Sequence, residues 1–415
     1  MKRMLALLLC TSLSLSLFSG CTAASAAKEL TAPKVYAVNY DGPPELAEQV
    51  DDALSAFGLE LLRDTRAAQD GSVLLSPLSV ALALSMAANG AEGETLAQLE
   101  ALLSGGSGLD VLNARCAQLM KEYQSLSGST ECSIANSIWM DPNGQIREDF
   151  IGKCAGIFDA QVFQGELSAP GIVGDLNGWV SEHTNRMIPQ MISEPFAGNT
   201  AALLVNALYL KNTWASEFDP NSTYERSFTC GDGSVKSMDF LNKGSSTLPC
   251  LRGDGVQGVV LPYDDGRLGF FALLPEGDLD RWLAGLEGNE LSPLLAGRED
   301  TLFLHLGLPK FEAEWKGDLK DILAALGLED ACLPGVADFS RLGDTSEGYY
   351  LSQVIHAAKL AVNEKGTEAA AATVAAASGS GAPPEEGITL IFDRPFLYGI
   401  ADLETGIPLF LGTFE

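Results

Sequence analysis

The chain has 415 residues, 46% of them hydrophobic and 20% charged, the balance of a soluble globular protein. A formal charge of -29 without a Lys/Arg cluster repels phosphate backbones and argues against nucleic acid or a heparin-like polyanion as a partner. The six cysteines beyond the N-terminal segment, Cys116, Cys132, Cys154, Cys230, Cys250 and Cys332, form no CxxC pair, so no zinc site is expected and buried free thiols are the plain reading.

At the N-terminus Lys2 and Arg3 precede an apolar run from Met4 to Phe18, and "LFSGC" follows. A positive n-region, an h-region short for a bilayer span and a small-residue cleavage site make residues 1–20 a signal peptide. With Cys21 the segment resembles a bacterial lipoprotein signal, although Phe18 stands where leucine is usual. In such proteins cleavage precedes the cysteine, whose thiol and new amino terminus carry acyl chains that together anchor stably. A plain secretory signal with an incidental cysteine is the alternative. Residues 21–44 are expected to be the lipidated cysteine and a flexible tether, reaching roughly 70 Å at about 3.3 Å per residue. On either reading the chain is exported, to the cell surface or beyond it.

Helical spacing runs from Glu45 to Gln69. In "SPLSVALALSMAANG", Ser76 suits an N-cap, Pro77 the first turn and Gly90 the stop. Helices are expected over Thr95–Leu103, Leu109–Leu126, Ile146–Gly156 and Ile172–Met187, with the strand "CSIANSIWM" ended by the turn "DPNG". After Thr200 the near-continuous apolar run "TAALLVNALYLKN" reads as a strand covered on both faces. Shorter strands are expected at Tyr224–Phe228, Ser234–Phe240, Val256–Leu261, Leu268–Leu274 and Leu302–Leu308. A helix at Leu319–Leu326 precedes strands at Tyr349–Val362, Ile388–Ile400 and Leu409–Phe414. Helices first and strands later, without βαβ alternation, indicate one α+β domain over residues 45–415.

Between the last long strands lies "NEKGTEAAAATVAAASGSGAPPEEG", Asn363 to Gly387. Glycine and β-branched residues interrupt it as a helix, and too little chain follows for it to link domains. At period two, Thr367, Ala369, Ala371, Thr373, Ala375 and Ala377 form one small, uncharged face. The other face carries Glu364 and Glu368 with Ala370, Ala372, Val374 and Ala376. Such a loop can become a buried strand in a crowded sheet, its glutamates outside.

"HAAKLAVNEKGTEAAAAT" resembles the hinge of the serpins, the large serine-protease inhibitor family. Further stretches match in the family's order: "LLSPLSVALALSMAANGAEGETLAQL", "ANSIWM", "LLVNALYLKNTW", "VVLPYDDGRLGFFALLPEG", "GLPKFEAEWKGDLKDILAALGL" and "DRPFLYGI". The resemblance implies a serpin fold of three β-sheets with eight to nine α-helices and an exposed reactive-centre loop over about residues 364–387. A serine protease attacks the loop as bait and forms an acyl-enzyme. The cut loop enters the main sheet as a strand before deacylation, a behaviour for which serpins are the standing example.

The hinge is then Glu364, Gly366, Thr367, Glu368, Ala369, Ala370, Ala371, Ala372 and Thr373, where a charge or bulky chain on the inward face stalls insertion. Counting about sixteen residues from Glu364 places the reactive bond between Ser380 and Gly381, with Ala377, Ser378 and Gly379 as nearby alternatives. All are small, which suits elastase-like or subtilisin-like serine proteases, with cysteine proteases as secondary targets. Family position groups Ser76, Ser79, Asn206 and His356 as a polar cluster beneath the main sheet, and Trp214, Lys310 and Glu364 at its top. Taken alone, His356 reads as a satisfied core histidine and the two charges as solvated groups. No GxSxG or HExxH is present, so no catalytic residue, metal or other cofactor is expected. The protein is expected to be a monomeric inhibitor rather than an enzyme; the rival reading is a non-inhibitory serpin-fold binding protein whose loop is merely a substrate.

Overall fold

The computed structural model describes residues 25–37, 42–197, 200, 202–345, 348–367 and 387–415. Strand β1 (Ala27–Leu30) opens them, followed by α1 (Pro44–Ala67), β2 (Leu74–Leu75), α2 (Pro77–Ala88), α3 (Gly93–Ser104) and α4 (Leu109–Gln124). Next come β3 (Glu131–Met140), β4 (Gln145–Ile146), α5 (Glu148–Ile157), β5 (Gln161–Gly165), α6 (Gly171–His183) and the long strand β6 (Ala202–Thr213). A strand-rich stretch follows with β7 (Tyr224–Thr229), β8 (Val235–Gly253), β9 (Val256–Pro262) and β10 (Leu268–Pro275). The short helices α7 (Leu279–Ala284) and α8 (Leu291–Ala296) lead to β11 (Glu299–Pro309), β12 (Phe311–Asp318) and α9 (Lys320–Ala325). Closing the chain are β13 (Gly343–Asp344), β14 (Gln353–Val362), β15 (Gly366–Thr367), β16 (Ile388–Ile391), β17 (Phe396–Asp402) and β18 (Pro408–Phe414).

The main sheet runs β1-β5-β3-β6-β15-β14-β12. A second path, β16-β11-β8-β9-β10-β17-β18-β2, is shared by two sheets, because β8 pairs with β7 and β11 along its first part and with β9 at its end. One strand thus leaves one layer and enters another along this path, and β4 and β13 form a separate two-stranded ladder.

Alternation explains the layers. On β6, Leu203, Val205 and Ala207 join a cluster with Trp179, Leu176 and Ile172 of α6, whereas Leu204, Leu208 and Leu210 face the large core on the other side. With both faces covered, the strand reads nearly continuously apolar from Ala202 to Leu210, with Asn206 the exception. Helix α2 sits inside that core with all twelve residues buried, which is why its sequence is apolar on nearly every side, with Ser79 and Ser85 the polar exceptions. Ser76 occupies its N-cap, but the hydroxyl makes no cap and donates instead to Leu409 O at 2.8 Å.

Several boundaries differ from expectation. Residues 21–44 are not a free tether throughout, because β1 pairs antiparallel with β5 as an added edge strand and Val35 N–H bonds Gly152 O at 2.8 Å. Three glycines make the room: a Cβ on Gly165 would lie 2.2 Å from Ala26 O, on Gly152 2.4 Å from Pro33 O and on Gly156 2.1 Å from Val35 O. The strand expected over Ser234–Phe240 continues to Gly253, and that expected over Ile388–Ile400 breaks before Pro395, which has no amide to donate to a ladder. The strand expected from Tyr349 begins at Gln353.

Candidate functional site

The sheet is parted at one end. Its closed part is a parallel ladder of β6 and β14, in which Leu203, Leu204, Val205 and Asn206 face Gln353, Val354, Ile355 and His356. At the other end β15 lies between the same two strands, antiparallel to both, with Gly366 opposite Thr213, and Thr367 opposite Asn212 and Val362. Gly366 and Thr367 thus form a single rung between the two strands.

Asn363 makes the reversal that allows this. Its side-chain oxygen accepts from the amides of Lys365 at 2.9 Å and Gly366 at 3.3 Å, and its own amide donates to Gly366 O at 3.0 Å. Gly366 is required by space, since a Cβ would stand 1.9 Å from Asn212 O. Thr367 is fully buried and its hydroxyl accepts from Tyr263 Oη at 3.1 Å. Burial pushes the Tyr263 phenol well above its usual range, so it remains a donor.

Trp214 braces the turn. Its ring stacks on Tyr263 at 4.9 Å, its indole N–H donates to Asn363 O at 2.9 Å, and its backbone amide donates to Lys365 O at 2.8 Å. Nearby, Lys310 Nζ lies 3.1 Å from Glu364 Oε1, which also accepts from Thr223 Oγ1 at 2.9 Å. Partial burial works to raise the Glu364 pKa, but its own backbone amide, Lys310 and Thr223 outweigh it and hold the carboxyl below its ordinary value. Trp214, Lys310 and Glu364 therefore meet at the mouth of the parted sheet.

Where the ladder is closed, Ser76 N–H donates to His356 Nε2 at 3.0 Å. Asn206 Nδ2 donates to Asn136 Oδ1, and Asn136 Nδ2 to Phe158 O at 3.3 Å. Ser79 Oγ, Asn206 Oδ1 and His356 Nδ1 are buried without a protein partner among the described residues. Burial alone lowers the His356 pKa to about 3, so the ring is neutral. The four cluster residues lie on one face of the β6–β14 seam and at the start of α2.

Sequence reading missed Asn136, Tyr263 and Asn363 as site residues. Asn136 did carry a signal, being a polar residue amid an apolar strand and on its core-facing side. The remaining hinge residues Glu368, Ala369, Ala370, Ala371, Ala372 and Thr373, the bait candidates Ala377, Ser378, Gly379, Ser380 and Gly381, and Cys21 lie outside the described residues. The six cysteines within them are unpaired and buried or half-buried, and burial raises the Cys116 and Cys132 thiols to about 12. Among the described residues no group of three His, Cys, Asp or Glu could hold a metal ion.

In this α+β fold the first residues after β14 turn back and pair between β14 and β6 of the main sheet. A family model described as Serpin (serine protease inhibitor) matches residues 52–415, and the chain belongs to the serpin family. It is similar to an uncharacterized serpin-like protein of Thermococcus kodakarensis, 30% identical over 88% of this chain and 84% of that one. Serpin-Z2B of Triticum aestivum is 31% identical over 81% of this chain and 88% of its own. The crystal structure of the thermophilic serpin tengpin in its native state superposes with a TM-score of 0.85 at 29% identity, covering 94% and 99% of the two chains. The family consists mainly of protease inhibitors rather than enzymes, with some non-inhibitory members.

Proposed function

We propose that this serpin inhibits a serine protease as a suicide substrate. The observation that carries the reading is β15: Gly366 and Thr367, small and uncharged, already lie between β6 and β14, and the alternate residues that would follow inward are small too. In the first step the protease serine oxygen attacks the Ser380 carbonyl carbon and the 380–381 amide breaks. Gly381 leaves as a new amino terminus, its proton supplied through the protease's own base, and an ester remains. Insertion of residues 368–380 then separates that ester from the protease's catalytic groups before water can reach it. Small residues around Ser380 favour an elastase-like or subtilisin-like target.

Export through the signal peptide and anchoring by acylation of Cys21 complete the reading. Mixing the chain lacking residues 1–24 with an elastase-type protease and with subtilisin tests it on a denaturing gel. An SDS-stable band at the summed mass, with the cut mapped near Ser380, is expected. Cleavage with full residual protease activity toward both, and toward trypsin and chymotrypsin, would give the lead to a non-inhibitory binding role.

A further inference from the structure

Strand registers fix the end of the molecule from which the N-terminal segment departs. Thr213 of β6 faces Gly366, so β6 runs from a far end at Ala202 to the hinge end at Thr213. Met140 of β3 faces Ala202, Gln164 of β5 lies beside Met140, and Ala27 faces Gly165. Residues before Ala27 therefore emerge at the far end, while the loop leaves Thr367 at the hinge end. The twelve residues of β6 put these ends about 40 Å apart at ~3.3 Å per residue.

The exit is built rather than incidental. Asp175 of α6 accepts from the amides of Ala26 at 2.7 Å and Ala27 at 3.1 Å, and Ser25 Oγ lies 2.9 Å from the same oxygen. The glycine slots at Gly152, Gly156 and Gly165 seat the backbone of this segment at three further points. From Ser25 back to Cys21 there are four peptide steps, a reach of about 14 Å at ~3.5 Å each.

Resting on the proposed acylation of Cys21, we infer that the anchored protein stands with the far end of its main sheet against the lipid bilayer and presents its bait loop away from the surface. The turn Asp141–Gly144 faces the headgroups. The partner of that face is the bilayer itself, approached at the length of the short tether and not by charge, since beside Asp141 and Glu166 the far end offers Arg147, whose guanidinium lies 3.8 Å from Asp344.

Full-length protein acylated in cells and reconstituted in vesicles containing headgroup-nitroxide lipids tests this. Fluorophores are attached through encoded azide residues at exposed Asn143, at the far end, and exposed Glu217, at the hinge end. Quenching several-fold stronger at position 143 than at 217 is expected. A Gly/Ser insert between Ala24 and Ser25, or Asp175→Ala with Gly165→Val, should abolish the difference. Equal quenching in the unmodified chain, stronger quenching at 217, or mass spectrometry showing Cys21 without acyl chains overturns the inference. Trapping by the soluble form is scored separately, so a failure of orientation is distinguishable from a failure of inhibition.

Discussion

Among the described residues neutral His356 has one polar contact, the Ser76 amide, and no negative group pairs with the ring, so protonation would bury an uncompensated charge. The ring's pKa falls from about 6.5 in an unfolded chain to about 3 here. For a base so depressed, the unfolded state binds more protons below pH 6.5. The stabilisation is thus complete above pH 6.5 and is lost progressively as pH falls toward 3, by at most roughly 1.4 kcal/mol per pH unit. Urea unfolding followed from pH 7 to 4.5 should show a steeper loss in the native chain than in His356→Asn, whose amide can still accept from Ser76. Parallel curves would remove His356 as the cause. Elsewhere Asp402 is fully buried and ion-pairs with Arg267 at 2.7 Å, with Tyr123 Oη donating to it at 3.1 Å. Arg267→Ala strands that charge and should cost about 3–5 kcal/mol, read as a lower midpoint of thermal unfolding.

At the scale of elements, β15 carries a condition that only a two-residue strand could state so clearly. A Cβ on Gly366 collides with Asn212 O, so Gly366→Ala should expel the hinge from the gap. The expulsion would free the Trp214 indole from Asn363 O and red-shift its emission. Thr367→Arg places a charge at a fully buried position and should convert trapping into plain cleavage, seen as a large rise in the inhibitor needed per protease inactivated.

Legibility in the sequence follows the same physics. Strand β6 and helix α2 were readable because burial on every side favours nearly continuous apolar sequence, broken only by residues such as Asn206, Ser79 and Ser85. Strand β1, "AKEL", is half-exposed at a sheet edge and owes its close approach to Gly165, more than a hundred residues away, which no local pattern reveals. Strand β5 is short and mixed, and β12, "FEAEWKGD", alternates cleanly but follows β11 with only Lys310 between. His356, Ser76, Ser79 and Asn206 were grouped by resemblance alone, since each taken singly is an ordinary core residue.

For the whole molecule, Glu364 at the sheet mouth ties together three separate segments: its own stretch after β14, Lys310 after β11 through an ion pair, and Thr223 through a hydrogen bond. Glu364→Lys sets like charges side by side against Lys310 and should open the mouth to another molecule's loop. Incubation at raised temperature followed by native gel electrophoresis is expected to show ladders of oligomers at temperatures where the native chain stays monomeric. A variant that remained monomeric with an unchanged melting temperature would defeat the idea.

Strand β1 also sets a clearance. On the proposed mechanism, a loop inserted from Thr367 to Ser380 would span about 40 Å at ~3.3 Å per residue and deliver its captive to the end of the sheet from which the N-terminal segment, acylated on the proposed reading, departs. A protease of some 220 residues is about 40 Å across, whereas the docked segment leaves about 14 Å beneath the molecule. On a membrane, capture must therefore tip the molecule over or unspool β1, which would lengthen the mooring to roughly 75 Å once residues 25–43 come free. Vesicle-bound protein should accordingly yield less SDS-stable complex per cleavage than the soluble form, and slack inserted after Ala24 should restore the yield.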